Sequence, residues 1–167
     1  MTRRVLISAA LLIGAVALQT TLFSDLRPLD ASPALALLVL IAVCRHLAGE
    51  PALLIGFGSG LLMDLLAESP LGLWALVMTT VAFVVLRVRD RTEDDPLVLA
   101  FGVFALTAAA LALFAVLGTI FGEKTLADAG IVRKIVLPAA YNTVLAGLVL
   151  PFVSRLLGTH RRSGWDL

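Results

Sequence analysis

Few side chains in this sequence could do chemistry, and their spacing does not assemble a reaction centre. Ser59 lies among glycines in GFGSG, but the G-x-S-x-G pattern is broken because position 57 is Phe. A serine nucleophile needs a base within reach, and the two histidines, His46 and His160, stand at the ends of apolar runs, far in depth from Ser59. No H-x-x-x-H pair or Cys/His cluster suits a metal. We therefore expect a protein that is not an enzyme and has no metal or cofactor.

One acid, Asp64, is clearly embedded in an apolar run, so paired carboxylates for acid–base chemistry are missing. A charge in hydrocarbon is costly unless it is paired or reaches the interface. Two interpretations stay open for Asp64. Its carboxyl group either faces headgroup water at the end of a helix, or extends a helix face that packs against protein.

Three further polar side chains, Gln19, Tyr141 and Asn142, are predicted within membrane-spanning segments. Gln19 either bonds to another helix or is solvated at the interface. Asn142 must find a partner, since an unmet amide in hydrocarbon is strongly unfavourable. Together with Asp64, these residues are the candidate lining of a polar pocket.

The apolar runs that carry these residues define the class of protein. The 167-residue chain is 60% hydrophobic and 15% charged, with a mean hydropathy of +1.02, whereas soluble domains are about half apolar and a quarter charged. A net charge of +1 without a basic tract gives no indication of nucleic-acid binding. We predict an all-α membrane protein, one domain over residues 1–167, with six spans near the length that crosses a bilayer, at about 5–24, 33–48, 51–67, 70–88, 96–121 and 135–157.

The boundaries of four spans share one pattern, a polar residue followed by proline, which suits the first helical turn. The four pairs are Ser32-Pro33, Glu50-Pro51, Ser69-Pro70 and Asp95-Pro96. With these boundaries, nine of the 13 Lys and Arg residues fall on the side that holds both ends of the chain. Because positive residues favour the cytoplasmic side, both termini are expected in the cytoplasm.

The third predicted span carries a stripe of small residues that ends in the acid. Ala52, Gly56, Gly60 and Asp64 follow one another at i, i+4 steps, so they share one helix face. Gly56 and Gly60 form a G-x-x-x-G pair, which lets helix backbones approach closely in lipid. The stripe therefore predicts close packing against another helix, either of this chain or of a partner. Gly72 belongs to the start of the following helix and to the same candidate packing site.

The segment GFGSGLLMDLLAESPLGLWAL, residues 56–76, resembles the glycine–leucine–aspartate stretch of the bacterial rod shape-determining MreD family. Weaker matches are LQTTLF at 18–23 and the leucine-rich run after Ser32-Pro33. One departure is Ala34, where the family often has an acid. The resemblance implies a non-enzymatic, multi-pass subunit of the bacterial cytoplasmic (inner) membrane that belongs to the cell-elongation complex. It also implies a fold similar to the substrate-binding subunits of energy-coupling-factor vitamin transporters.

The resemblance further implies direct binding of MreC, and a larger complex with RodA, a transpeptidase penicillin-binding protein and MreB, besides contact with membrane lipids. Two functions are therefore weighed, a scaffold for peptidoglycan synthesis and, alternatively, the solute-binding subunit of a vitamin-type transporter. If the glycine stripe is the MreC surface, Gly56→Leu or Gly60→Leu should abolish MreC co-purification from a chain that still accumulates.

Overall fold

The computed structural model describes residues 2–25, 32–67, 69–89, 95–123, 125–126 and 128–158, and the regular structure in these ranges is entirely helical. The residues beyond 158, in the predicted cytoplasmic tail, lie outside the described part of the chain. The all-α class and six helices are confirmed within these ranges. The helices are α1 (Thr2–Asp25), α2 (Leu35–Cys44), α3 (Gly49–Leu66), α4 (Leu73–Val88), α5 (Pro96–Ile120) and α6 (Ile131–Leu157).

The six helices differ in the length that they could span. Four of them, α1, α3, α5 and α6, are long and apolar enough to cross a membrane. The other two have 10 residues (α2) and 16 residues (α4), which at 1.5 Å per residue gives about 15 and 24 Å. Both are shorter than the hydrocarbon core of about 30 Å. The predicted spans 33–48 and 70–88 are therefore longer than the helices that form there, and α6 begins at Ile131, ahead of the predicted 135.

The short helix α2 lies at the centre of the bundle. Its sequence, LALLVLIAVC, has no polar face, and nine of its ten residues are buried. A helix that is apolar all round belongs in the interior of a protein or membrane. Helix α2 contacts each of the other five helices, so the bundle is built around it.

The other helices pair as neighbours in sequence. Helix α3 packs most extensively on α4, and α5 on α6. The two pairs meet where Trp74 at the start of α4 stacks on Phe114 of α5, with ring centroids 4.3 Å apart. Helix α5 starts as the Asp95-Pro96 pair predicts, because the Asp95 side chain accepts a hydrogen bond from the Leu97 N–H at 2.8 Å and Pro96 occupies the first turn.

Candidate functional site

The glycine stripe of α3 faces α4 of the same chain. A Cβ placed on Gly60 would lie 2.5 Å from both the Ala75 Cα and the Trp74 carbonyl oxygen. A Cβ on Gly56 would lie 3.1 Å from the Ala82 Cβ. These distances leave no room for a side chain at Gly60 and little at Gly56. We call this contact between α3 and α4 the seam.

The seam ends at Asp64, which is 3% exposed. Its carboxyl oxygens accept hydrogen bonds from the backbone N–H groups of Gly72 (2.9 Å), Trp74 (2.9 Å) and Ala75 (3.2 Å). The Ser69 hydroxyl adds a fourth donor at 3.3 Å. The interpretation that Asp64 faces headgroup water is therefore wrong, because its side chain is enclosed by the turn and the first residues of α4.

Asp64 does for α4 what an N-cap side chain normally does. Trp74 and Ala75 are the second and third residues of the helix, whose N–H groups have no partner within it. The N-cap position itself is Gly72, which has no side chain and has φ +94°. This left-handed backbone suits glycine and turns the Gly72 N–H toward the same carboxyl group. Asp64 thus caps α4 from the neighbouring helix, where the positive end of the helix dipole also favours an acid.

Gln19 and Asn142 both bond to the backbone at the start of α2. The Gln19 Oε1 atom accepts from the Ala36 N–H at 2.9 Å, and the Asn142 Nδ2 atom donates to the Ala34 carbonyl at 2.9 Å. Asn142 Nδ2 also lies 3.3 Å from the Thr107 hydroxyl oxygen of α5. Asn142 is fully buried, whereas the adjacent Tyr141 is only partly buried. Side chains from α1, α5 and α6 therefore meet at the start of the central helix.

The sequence interpretation missed the side chain that caps the other end of α2. Arg89, just after α4, donates from Nη1 to the carbonyl oxygens of Cys44 (3.0 Å) and Leu47. Nearby, the His46 Nε2 atom lies 3.1 Å from the Ser154 hydroxyl oxygen of α6. In the sequence Arg89 contributes only to the charge count, and no local pattern pairs it with carbonyl groups more than 40 residues earlier.

The Ser59 hydroxyl, the candidate nucleophile, bonds within the helix packing. The Ser59 hydroxyl oxygen lies 3.0 Å from the Gly56 carbonyl oxygen and 3.3 Å from the Met78 sulfur, inside the seam. Among the residues that the structure describes, no three His, Cys, Asp or Glu side chains are grouped to hold a metal ion.

Replacing Gln19 with leucine should destabilise the bundle by about 1–2 kcal/mol, because the Ala36 N–H would lose its partner in a partly buried position. Thermal unfolding of the purified protein in detergent measures the change. The matched control is Thr20→Val. The Thr20 hydroxyl bonds to the Val16 and Ala17 carbonyl groups of its own helix, and its removal should have little effect. Equal unfolding temperatures for the two variants would contradict the role assigned to Gln19.

Four helices long and apolar enough to cross a bilayer, packed around a buried central helix, are the features of a helical membrane protein. The family model for rod shape-determining protein MreD matches residues 2–159, and the chain belongs to that family. This is a family of structural proteins that determine cell shape rather than a family of enzymes. Comparisons with curated proteins and with solved structures gave no match.

Proposed function

We propose that this protein is a non-enzymatic, six-span scaffold of the bacterial cytoplasmic membrane that binds MreC and helps position peptidoglycan synthesis during cell elongation. In this proposal both termini lie in the cytoplasm, and RodA, a transpeptidase penicillin-binding protein and MreB join the larger complex. Membership of the shape-determining family over residues 2–159 is the observation that carries the proposal.

The interior polar side chains bond to helix backbones, which supports a scaffold rather than a solute carrier. A solute pocket needs several polar groups that converge on one cavity. The carboxyl group of Asp64 bonds to the backbone of α4, whereas the Gln19 Oε1 atom and the Asn142 Nδ2 atom bond to the backbone at the start of α2. These side chains hold helix ends in place, which favours a role in keeping the bundle rigid.

The outward helix faces are the surfaces open to a partner within the membrane. The face of α3 opposite the seam exposes Leu54 and Leu65. Apolar faces of this kind are covered either by lipid or by another helix, and small residues on them allow the closest helix approach. Gly56 and Gly60 already meet α4, so we place the partner surface elsewhere on the bundle.

Three glycines are suited to locate that surface, namely Gly14 on α1, Gly58 on α3 and Gly147 on α6. All three are exposed, and a Cβ added to any of them meets no atom within 4 Å. Leucine at these positions is expected to leave the bundle folded. It would, however, block a helix that packs closely on that face.

The experiment is affinity purification of each leucine variant from native membranes, with quantification of MreC in the eluate. We expect MreC to co-purify with the parent protein, and one of the three substitutions to reduce its recovery about tenfold or more, as steric exclusion at a tight contact costs 1–3 kcal/mol. The amount of each variant in the membrane serves as the control. Absence of MreC from the parent eluate would contradict the proposed function. Full recovery of MreC with all three variants would contradict only the close-packed helix contact.

A further inference from the structure

A groove lies between α4 and α5 at the end of the bundle where Arg89 and Pro96 stand. It holds about 440 Å³ of space, including the part that is open to its surroundings. Aliphatic side chains and one glycine form most of its wall, among them Val85 on α4 and Val98, Gly102 and Leu106 on α5. Helices α2 and α6 contribute its remaining wall.

Helices α4 and α5 are in direct ring contact at one end and border the groove at the other. At the opposite end of this pair, Trp74 stacks directly on Phe114. Helix α5 packs more extensively on α6 than on α4, so the two helices are held together at one end and leave space at the other. Glycine at position 102 widens this space, since a Cβ added there meets no atom within 4 Å.

The chemistry of the wall suits an acyl chain. Space lined by aliphatic groups offers too few polar partners to hold ordered water, and an empty groove would forfeit dispersion contacts along its whole wall. From Val98 to Leu106 the groove follows eight helical steps of α5, about 12 Å. A hydrocarbon chain of a lipid can lie along that length.

Two cations stand at one end of this apolar wall. Arg45 follows the last residue of α2, Arg89 follows the last residue of α4, and both line the groove. The hydrogen bonds from Arg89 to the Cys44 and Leu47 carbonyl groups hold its guanidinium beside the end of α2. Guanidinium groups bind phosphate oxygens with matched geometry, and basic pockets between membrane helices bind anionic lipid headgroups.

We propose that this groove is a binding site for one anionic phospholipid, whose acyl chain lies along Val98, Gly102 and Leu106 and whose phosphate group contacts Arg45 and Arg89. The juxtaposition of an apolar groove with two arginines at its end matches the two parts of such a molecule. The lipid would fill the space between α4 and α5 at this end of the bundle. This site is separate from the glycine seam and does not depend on which protein partner binds.

The test is native mass spectrometry of the full-length protein in detergent, titrated with phosphatidylglycerol or with phosphatidylcholine of the same acyl chains. We expect one phosphatidylglycerol to bind at least about tenfold more tightly than phosphatidylcholine, a difference that one charge-assisted contact supplies. Arg45→Gln should reduce this preference, because only Arg89 then remains to contact the phosphate group. Gly102→Leu should weaken binding of both lipids about tenfold, because the added side chain occupies the path of the acyl chain.

Two matched variants control for charge and for steric bulk. Arg87→Gln removes a cation near the same end of α4, but Arg87 lies over the Phe83 ring, 5.1 Å from its centroid, and does not line the groove. Gly58→Leu adds the same bulk on an exposed face of α3. Neither should alter the affinity for phosphatidylglycerol. Equal affinity for the two lipids, or an affinity for phosphatidylglycerol that neither Arg45→Gln nor Gly102→Leu changes, would overturn the proposal.

Discussion

Gly60→Ala should lower the free energy of unfolding by about 3 kcal/mol, the upper end of the usual cost of an overpacked core. The added methyl group would stand 2.5 Å from the Ala75 Cα and the Trp74 carbonyl oxygen. Because both atoms belong to the backbone of α4, no rotation of a side chain can relieve the contact, and the two helices must move apart. Thermal unfolding in detergent and the amount of protein in the membrane should both report the loss.

Two other glycines of α3 provide graded controls for this substitution. At Gly56 the nearest atom is the Ala82 Cβ at 3.1 Å, so Gly56→Ala should cost less than Gly60→Ala. At Gly58 nothing lies within 4 Å, and Gly58→Ala should stay within about 1 kcal/mol of the parent protein. Equal stability of the alanine variants at positions 58 and 60 would contradict the seam.

Asp64→Ala should destabilise the protein by about 4 kcal/mol, since each buried donor left without a partner costs 1–3 kcal/mol. The substitution removes the acceptor of three backbone N–H groups at the start of α4, at a site that is 3% exposed. Asp64→Asn retains one acceptor oxygen and should fall between the alanine variant and the parent. Chemical or thermal unfolding of the three proteins in the same detergent gives the comparison.

Asp95 supplies the matched control, because it caps α5 from an exposed position and accepts from one N–H group, that of Leu97. Asp95→Ala should cost about 1 kcal/mol, the usual effect of losing an N-cap. If Asp64→Ala lowers the free energy of unfolding no more than Asp95→Ala does, burial and the additional donors add nothing to the cap.

These substitutions also separate stability from partner binding. Leucine at Gly56 or Gly60 is expected to reduce the amount of folded protein, because its side chain would clash with α4. Leucine at Gly14, Gly58 or Gly147 meets open space instead. Loss of MreC from one of those variants, at normal protein levels, would reflect the partner surface itself.

Much of the helical architecture could be predicted from the sequence. Long apolar runs separated by polar residues and prolines determine where helices form, since a chain in lipid must satisfy its backbone groups locally. The i, i+4 spacing of Ala52, Gly56, Gly60 and Asp64 likewise determined that one face of α3 carries small residues and is suited to close packing. Both features depend on residues that are near one another in the chain, and all four of these residues are buried.

The tertiary structure alone decided what each of these features contacts. Small residues admit any helix, so the stripe could not identify α4 as its neighbour, and an acid in an apolar run could not reveal which N–H groups surround it. The central position of α2, capped by Gln19 and Arg89 and bonded by Asn142 at the residue before its start, was equally hidden. Those contacts join residues far apart in the chain. Their formation depends on how all six helices pack together, whereas a local pattern specifies only which face of a helix is turned inward.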